Sequence, residues 1–358
     1  IQAYPRAEIP HDFLSGIIYP VSGQYEKAVV EATKAIHLNP DFPISYRLLS
    51  VSYIALNRVD EAKATYGQAL KRKLDHPDFR IDLYGIAFLQ DDAVGMAQQV
   101  AWSGGKPGVE EELLALEADT AAYSGRLREA RDFSRRAMDS AGRAQELEAA
   151  ATYSALSGLR EALFGNADEA RRRATSAMAH SIGRDAQYGA ALALAYANDD
   201  KRAQALTDDL GKRLPEDTAV QFNYLPALRA KLAVSRGNAA EALDSLRIAA
   251  PYDLGQSTSG VYAWTALYPV FVRGEAYLAA HQGKQAAAEF QKVLDHPGIV
   301  LNEPIGALAH LQIGRAYAMQ GDTAKAETAY QEFLTLWKDA DPDIPILIAA
   351  KSEHEKLK

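Results

Sequence analysis

Shifting this chain by 34 residues lays it onto itself, carrying Tyr19 onto Tyr53, Ala28 onto Ala62 and Ala35 onto Ala69. One full copy of the unit runs from 43 to 76. Tyr46, Leu49, Ser50 and Tyr53 share one face of a first helix, and Ala62, Tyr66 and Ala69 follow on a second. The i, i+4, i+7 spacing is that of a buried helical stripe. Two short amphipathic helices cannot bury such stripes alone, so the copies must stack side by side. The period therefore replaces the two or three globular domains that a length of 358 residues would suggest with one elongated array.

A period of 34 with a small residue where the second helix crosses the first resembles the tetratricopeptide repeat. That crossing residue, position 20 of the unit, recurs at Ala28, Ala62, Ala97, Ala130, Ala170, Ala203, Ala242, Ala286 and Ala326. The expected fold is all-α: a right-handed superhelical α-solenoid of about nine helix-turn-helix units over 9–345, closed by a capping helix over 346–358. Residues 1–8, with Tyr4-Pro5, read as the tail of a preceding unit, and a start lacking Met reads as a cut inside a longer protein. Pro20 is expected to compromise the first helix of unit one. The stretch 251–260 reads as the most loop-like in the chain, long enough to fold over a groove mouth, and 261–280 as an aromatic-rich helix.

Composition narrows the chemistry. A net charge of −8 argues against nucleic acid as a partner, which needs a basic stripe. The absence of Cys removes disulfides, thiolate metal sites and cysteine nucleophiles. Gly104-Gly105-Lys106 lacks the earlier Gly of a phosphate loop, Val100 standing in its place, and Pro107 follows the Lys. The eight His show no metal-binding spacing, and no cofactor motif is present. With no apolar run long enough to cross a bilayer, a soluble module is expected, cytoplasmic or extracytoplasmic if tethered upstream.

What remains is the concave face of the superhelix, lined in such arrays by positions 2, 5, 9, 12 and 13 of each first helix. Mapped here, those positions include Arg47, Asp82, Asp119 and Tyr123 in the early units. In units six to nine they give Tyr188, Tyr196, Tyr224, Lys231, Tyr268, Phe271, Glu275 and Arg315. Aromatic anchors flanked by charge suit a protein or peptide ligand, since Tyr offers large amphipathic contacts at low entropy cost. The competing reading is that the rings pack between neighbouring helices. If units six to eight hold the ligand site, units one to three serve mainly as a rigid connection to the missing domain.

Several segments carry a closer resemblance. They include Ala55-Leu56-Asn57-Arg58-Val59-Asp60-Glu61-Ala62, Leu163-Phe164-Gly165-Asn166-Ala167-Asp168-Glu169-Ala170 and Val220-Gln221-Phe222-Asn223-Tyr224-Leu225-Pro226. Near the end come Asp295-His296-Pro297-Gly298-Ile299-Val300 and Phe333-Leu334-Thr335-Leu336-Trp337. In this order they resemble the C-terminal repeat region of eukaryotic-like serine/threonine protein kinases of acidobacteria. The resemblance implies a kinase domain before Ile1 and no catalytic residue within this chain. Similar arrays follow winged-helix domains in bacterial regulators. A dimerisation array and, less so, an enzyme with a site between helices also stay open.

Overall fold

The computed structural model describes residues 7–256 and 265–357, and among these every regular element is helical. The helices pair into nine hairpins. The first helices are 9–21, Pro43–Ala55, Pro77–Leu89, Glu110–Tyr123, Leu147–Leu163, Arg184–Tyr196, 220–235, Tyr268–Ala279 and Pro304–Met319. Their partners begin at Tyr25, Val59, Ala93, Leu127, Ala167, Asp200, Ala239, Gly283 and Thr323, and a final helix, Pro345–Glu355, covers the last pair. Each hairpin turns through a left-handed residue: Gly23, Asn57, Asp91, Gly125, Gly165, Asn198, Gly237, His281 or Gly321, with φ between 53° and 94°. Gly and Asn tolerate this conformation just past a helix end, which is why they dominate these turns.

The turn residue lies five positions before the crossing residue in eight units, and there Ala28, Ala62, Ala130, Ala170, Ala203, Ala242, Ala286 and Ala326 are completely buried. Unit three differs. Five positions after Asp91 stands Met96, half-buried against Ile81, Tyr84 and Leu113, whereas Ala97 is exposed. The expected anchor at Ala97 is therefore corrected to Met96, a flexible side chain standing where the other units carry alanine. Elsewhere the approach is tight: Ser50 Oγ donates to the Ala62 carbonyl at 3.0 Å, and a Cβ on Gly314 would stand 2.9 Å from the Tyr330 ring. Ala62→Leu and Ala326→Leu should each cost about 1–3 kcal/mol by overpacking, read as a lowered urea midpoint. Unchanged midpoints in both would contradict this packing.

Pro20 does not break the first helix. A π turn at Leu14–Ile18 widens the coil just ahead of it, and the α-helix resumes at Tyr19–Val21. The same device, Val220–Tyr224, precedes Pro226 in unit seven. In each case the last π bond, Tyr19 N to Leu14 O or Leu225 N to Val220 O, is donated by the residue just before the proline. The aromatic helix expected over 261–280 begins at Tyr268, with Pro269 in its first turn. Of the loop expected over 251–260, the start continues a 3₁₀ turn, Arg247–Tyr252, and 257–260 lie outside the described residues, as do Val261, Tyr4 and Pro5.

The array coils tightly enough for successive turns to touch. Gln256 N donates to Pro20 O at 2.9 Å, and the Asn57 amide bonds Asp295 O and Gly298 N, both at 3.0 Å. Further along, Trp337 Nε1 donates to Tyr123 O at 2.9 Å, Asp341 N to Gly125 O at 3.0 Å and Ile346 N to Phe164 O at 3.2 Å. Hairpin turns of units one, two, four and five thus meet the connections that follow units seven, eight and nine. Between the turns, Leu301 lies over Gly85, and the Asn302 amide donates to Leu116 O at 2.9 Å and Thr120 Oγ1 at 3.0 Å. This self-contact buries the first helices of units five and six on every side, from Ala149 to Phe164 and from Asp185 to Ala195. A helix enclosed all round is a core element rather than a groove wall.

Candidate functional site

Closure decides where the expected site residues lie. Tyr188, Tyr224 and Phe271 are 0% exposed and Tyr268 is 1% exposed. They line no open groove, because the inner side of the superhelix is filled by the chain itself. Tyr188 and Tyr224 stack with centroids 3.8 Å apart, and the Tyr224 hydroxyl donates to Asp185 Oδ1 at 2.7 Å. Phe271 meets Phe290 edge-on at 5.3 Å. Tyr268 donates to Glu303 Oε2 at 2.9 Å. Burial raises the hydroxyl pKa of all three tyrosines, so they keep their protons, and Tyr224 and Tyr268 act as fixed donors rather than acids.

Three of the expected residues do come together at the surface. Lys231 Nζ sits 3.0 Å from Glu275 Oε2 and 3.8 Å from the centre of the Tyr196 ring, while the Tyr196 hydroxyl donates to the same carboxylate oxygen at 3.0 Å. All three are half-buried. Arg315 occupies the equivalent place in unit nine but is turned to the capping helix, with two 2.8 Å bonds to Glu353, which also accepts from Tyr330. Among the early concave residues, Arg47 is held by Asp78 and Asp82, each at 2.8 Å, and Tyr66 donates to Asp82 at 2.6 Å.

Two features escaped the sequence reading. One is a buried polar centre. Arg160 bonds Asp119 directly and Ser134 Oγ at 2.6 Å, with Glu303 and Tyr268 alongside. Burial first, and then the Asp119 charge, push the Glu303 carboxyl up to about 8; Asp119 is raised by burial against the pull of Arg160. Asp119 and Tyr268 fell within the concave positions, and nothing local marks Arg160 or Glu303 as their neighbours. The other is on unit one, where Phe13 and Ile17 precede Arg47 and Val51 by one period of 34 and so occupy concave positions 5 and 9. The same register shift could have found them. They are 53% and 41% exposed. Among the described residues no group of His, Asp and Glu is arranged to hold a metal, and no helix is long and apolar enough to cross a membrane.

Comparison with known proteins agrees with the hairpin geometry at both ends of the chain. Residues 22–81 match a family described as tetratricopeptide repeat, and residues 308–340 match a second family of that description. These stretches are tetratricopeptide repeats. Solved structures that resemble the whole chain include yeast Tom70, at 12% identity and TM-score 0.43 over 98% of this chain and 88% of that one. A tetratricopeptide repeat protein from Parabacteroides merdae matches at 15% identity and TM-score 0.36, over 86% and 98% of the two chains. The Cut9–Hcn1 hetero-tetramer of the APC/C matches at 14% identity and TM-score 0.31, over 98% and 90%.

Proposed function

We propose that this repeat array is a non-catalytic scaffold that binds a protein or peptide, and that it serves as the C-terminal interaction region of a bacterial serine/threonine protein kinase. The observation that carries the binding role is the Tyr196–Lys231–Glu275 group, three half-buried side chains on consecutive first helices, with Lys231 and Glu275 each keeping 14% of the side chain exposed. An aromatic ring bracketed by one charge of each sign can anchor a ligand and select its polarity. Tyr188, Tyr224, Tyr268 and Phe271 then support this patch from behind, and Arg315 holds the cap that ends it. The kinase context rests on the ordered resemblance of five segments, and the coding sequence upstream of Ile1 tests it. A winged-helix domain there would replace the kinase reading.

The binding role is tested by placing a photo-crosslinking amino acid at Tyr196 and, as a control, at exposed Glu332 on the second helix of repeat nine. Irradiation in cells that make the protein should give a discrete adduct from the first position and none from the second. Adducts from Glu332 alone would overturn the assignment.

A further inference from the structure

We infer that the second helix of repeat three, Ala93–Ser103, is a self-association surface on which a second copy of this chain packs antiparallel, away from the Tyr196 patch. This helix carries no charged side chain and no histidine, whereas each of the other eight second helices carries at least two charged residues. A solvent-facing helix ordinarily shows charge on its outer side. The inner side is shallow: Met96, Val100 and Trp102 are half-buried against Ile81, Tyr84 and Leu113, and Ser103 alone in this helix is buried. The outer side consists of Ala93, Val94, Ala97, Gln98 and Ala101, all exposed, with Val94 at 67%. These residues lie within an arc of about 140° of the helix. Its alanines let a facing helix approach closely, and no charge on it has to be desolvated.

The two ends of the helix select the occupant. Before its start Asp91 is exposed, and Asp92 caps the helix, Oδ1 accepting from Gly95 N at 2.8 Å. Beyond its end Lys106 is exposed, 3.6 Å from the centre of the Trp102 ring. Neither Asp91 nor Lys106 makes an ion pair among the described residues. The face is therefore its own electrostatic complement, acid at one end and base at the other. A two-fold axis through its middle, near Ala97 and Gln98, runs a second copy antiparallel and sets Asp91 beside the partner's Lys106, and Lys106 beside the partner's Asp91. The helix dipoles then oppose as well. The chain as a whole carries a charge of −8, so copies repel over most of their surface and meet most readily where charge is absent or matched. One helix about 16 Å long covers less than the ~800 Å² per partner of a standard interface, so the dimer is weak and dissociates on dilution.

Sedimentation velocity of the whole chain at low salt, from low micromolar to near-millimolar concentration, should show monomer giving way to dimer. Ala97→Arg places a charge at an exposed site in the middle of the face and should hold the chain monomeric throughout, with an unchanged melting curve. Asp91→Lys and Lys106→Asp should each weaken dimerisation about tenfold. Lysine is accommodated at the first site, because Lys73 already holds the left-handed conformation that Asp91 adopts, with φ of 64° and 53°. The two exchanges together should restore the dimer. Within one chain the two sites lie at opposite ends of the helix, so recovery in the double variant reports a contact between copies. If Ala97→Arg lowers the melting temperature, the charge exchange decides alone. A chain that stays monomeric at every concentration overturns the proposal. So does a dimer that survives Ala97→Arg, or a double exchange that associates no better than either single variant.

Discussion

Replacing Arg160 with Met is expected to lower the free energy of unfolding by about 3–5 kcal/mol, the largest loss from any single substitution considered. Arg160 and Asp119 are 4% and 5% exposed and bonded to each other, and Ser134 Oγ completes the guanidinium's coordination at 2.6 Å. Removing the cation leaves Asp119 desolvated beside Glu303, a second, half-buried carboxyl. The double variant Asp119→Leu/Arg160→Met removes both members of the pair and should regain at least half the loss, since a well-packed apolar pair is often as stable as a buried ion pair. Urea unfolding of the single and double variants measures both. A double variant that unfolds as easily as Arg160→Met would mean that the pair contributes by shape rather than by charge compensation.

Stability should also fall as pH rises through the neutral range, and Glu303 is the group responsible. Its folded pKa lies near 8 and its ordinary value is 4.5, so between these limits the native state keeps a proton that the unfolded chain has lost. The unfolded state binds fewer protons, and the slope of unfolding free energy with pH is negative. It is bounded at roughly 1.4 kcal/mol per pH unit, absent below about pH 4.5 and flat again above about pH 8. Glu303→Gln keeps a neutral partner for the Tyr268 hydroxyl and should remove the slope, so that its advantage over the native chain grows from pH 5 to pH 8. Parallel slopes for the two proteins would show that Glu303 is already ionised in the fold.

The parts of this architecture that were legible in sequence are those set by local spacing. Eight fully buried alanines and a run of Gly and Asn turn residues repeat because each hairpin must cross closely and reverse sharply. Ala97 misled because repeat three places Met96 at the crossing, so the small-residue signal sits one position late. Tyr188, Tyr224, Tyr268 and Phe271 were expected to face a concavity, yet whether such positions are exposed depends on something no local pattern carries, and all four are buried. Asn302 reaches Leu116 across 186 residues of sequence, and Asn57 reaches Gly298 across 241. Coil curvature brings these together, and it is the sum of small angles between many hairpins. Phe13 and Ile17, by contrast, were readable from the same register as Arg47 and Val51.

Closure of the superhelix on itself is the claim from which the buried row and the polar centre both follow. The chain has no Cys, so a single engineered pair reports on it without background. Arg128 and Asp343 are 215 residues apart, exposed, and joined side chain to side chain at 3.1 Å where the turn of repeat four meets the connection to the cap. Arg128→Cys/Asp343→Cys, treated with a short bifunctional maleimide at low protein concentration, should give rapid, near-complete intramolecular crosslinking. Independent modification of both thiols, with no internal link formed, would show an open array and contradict the closed arrangement.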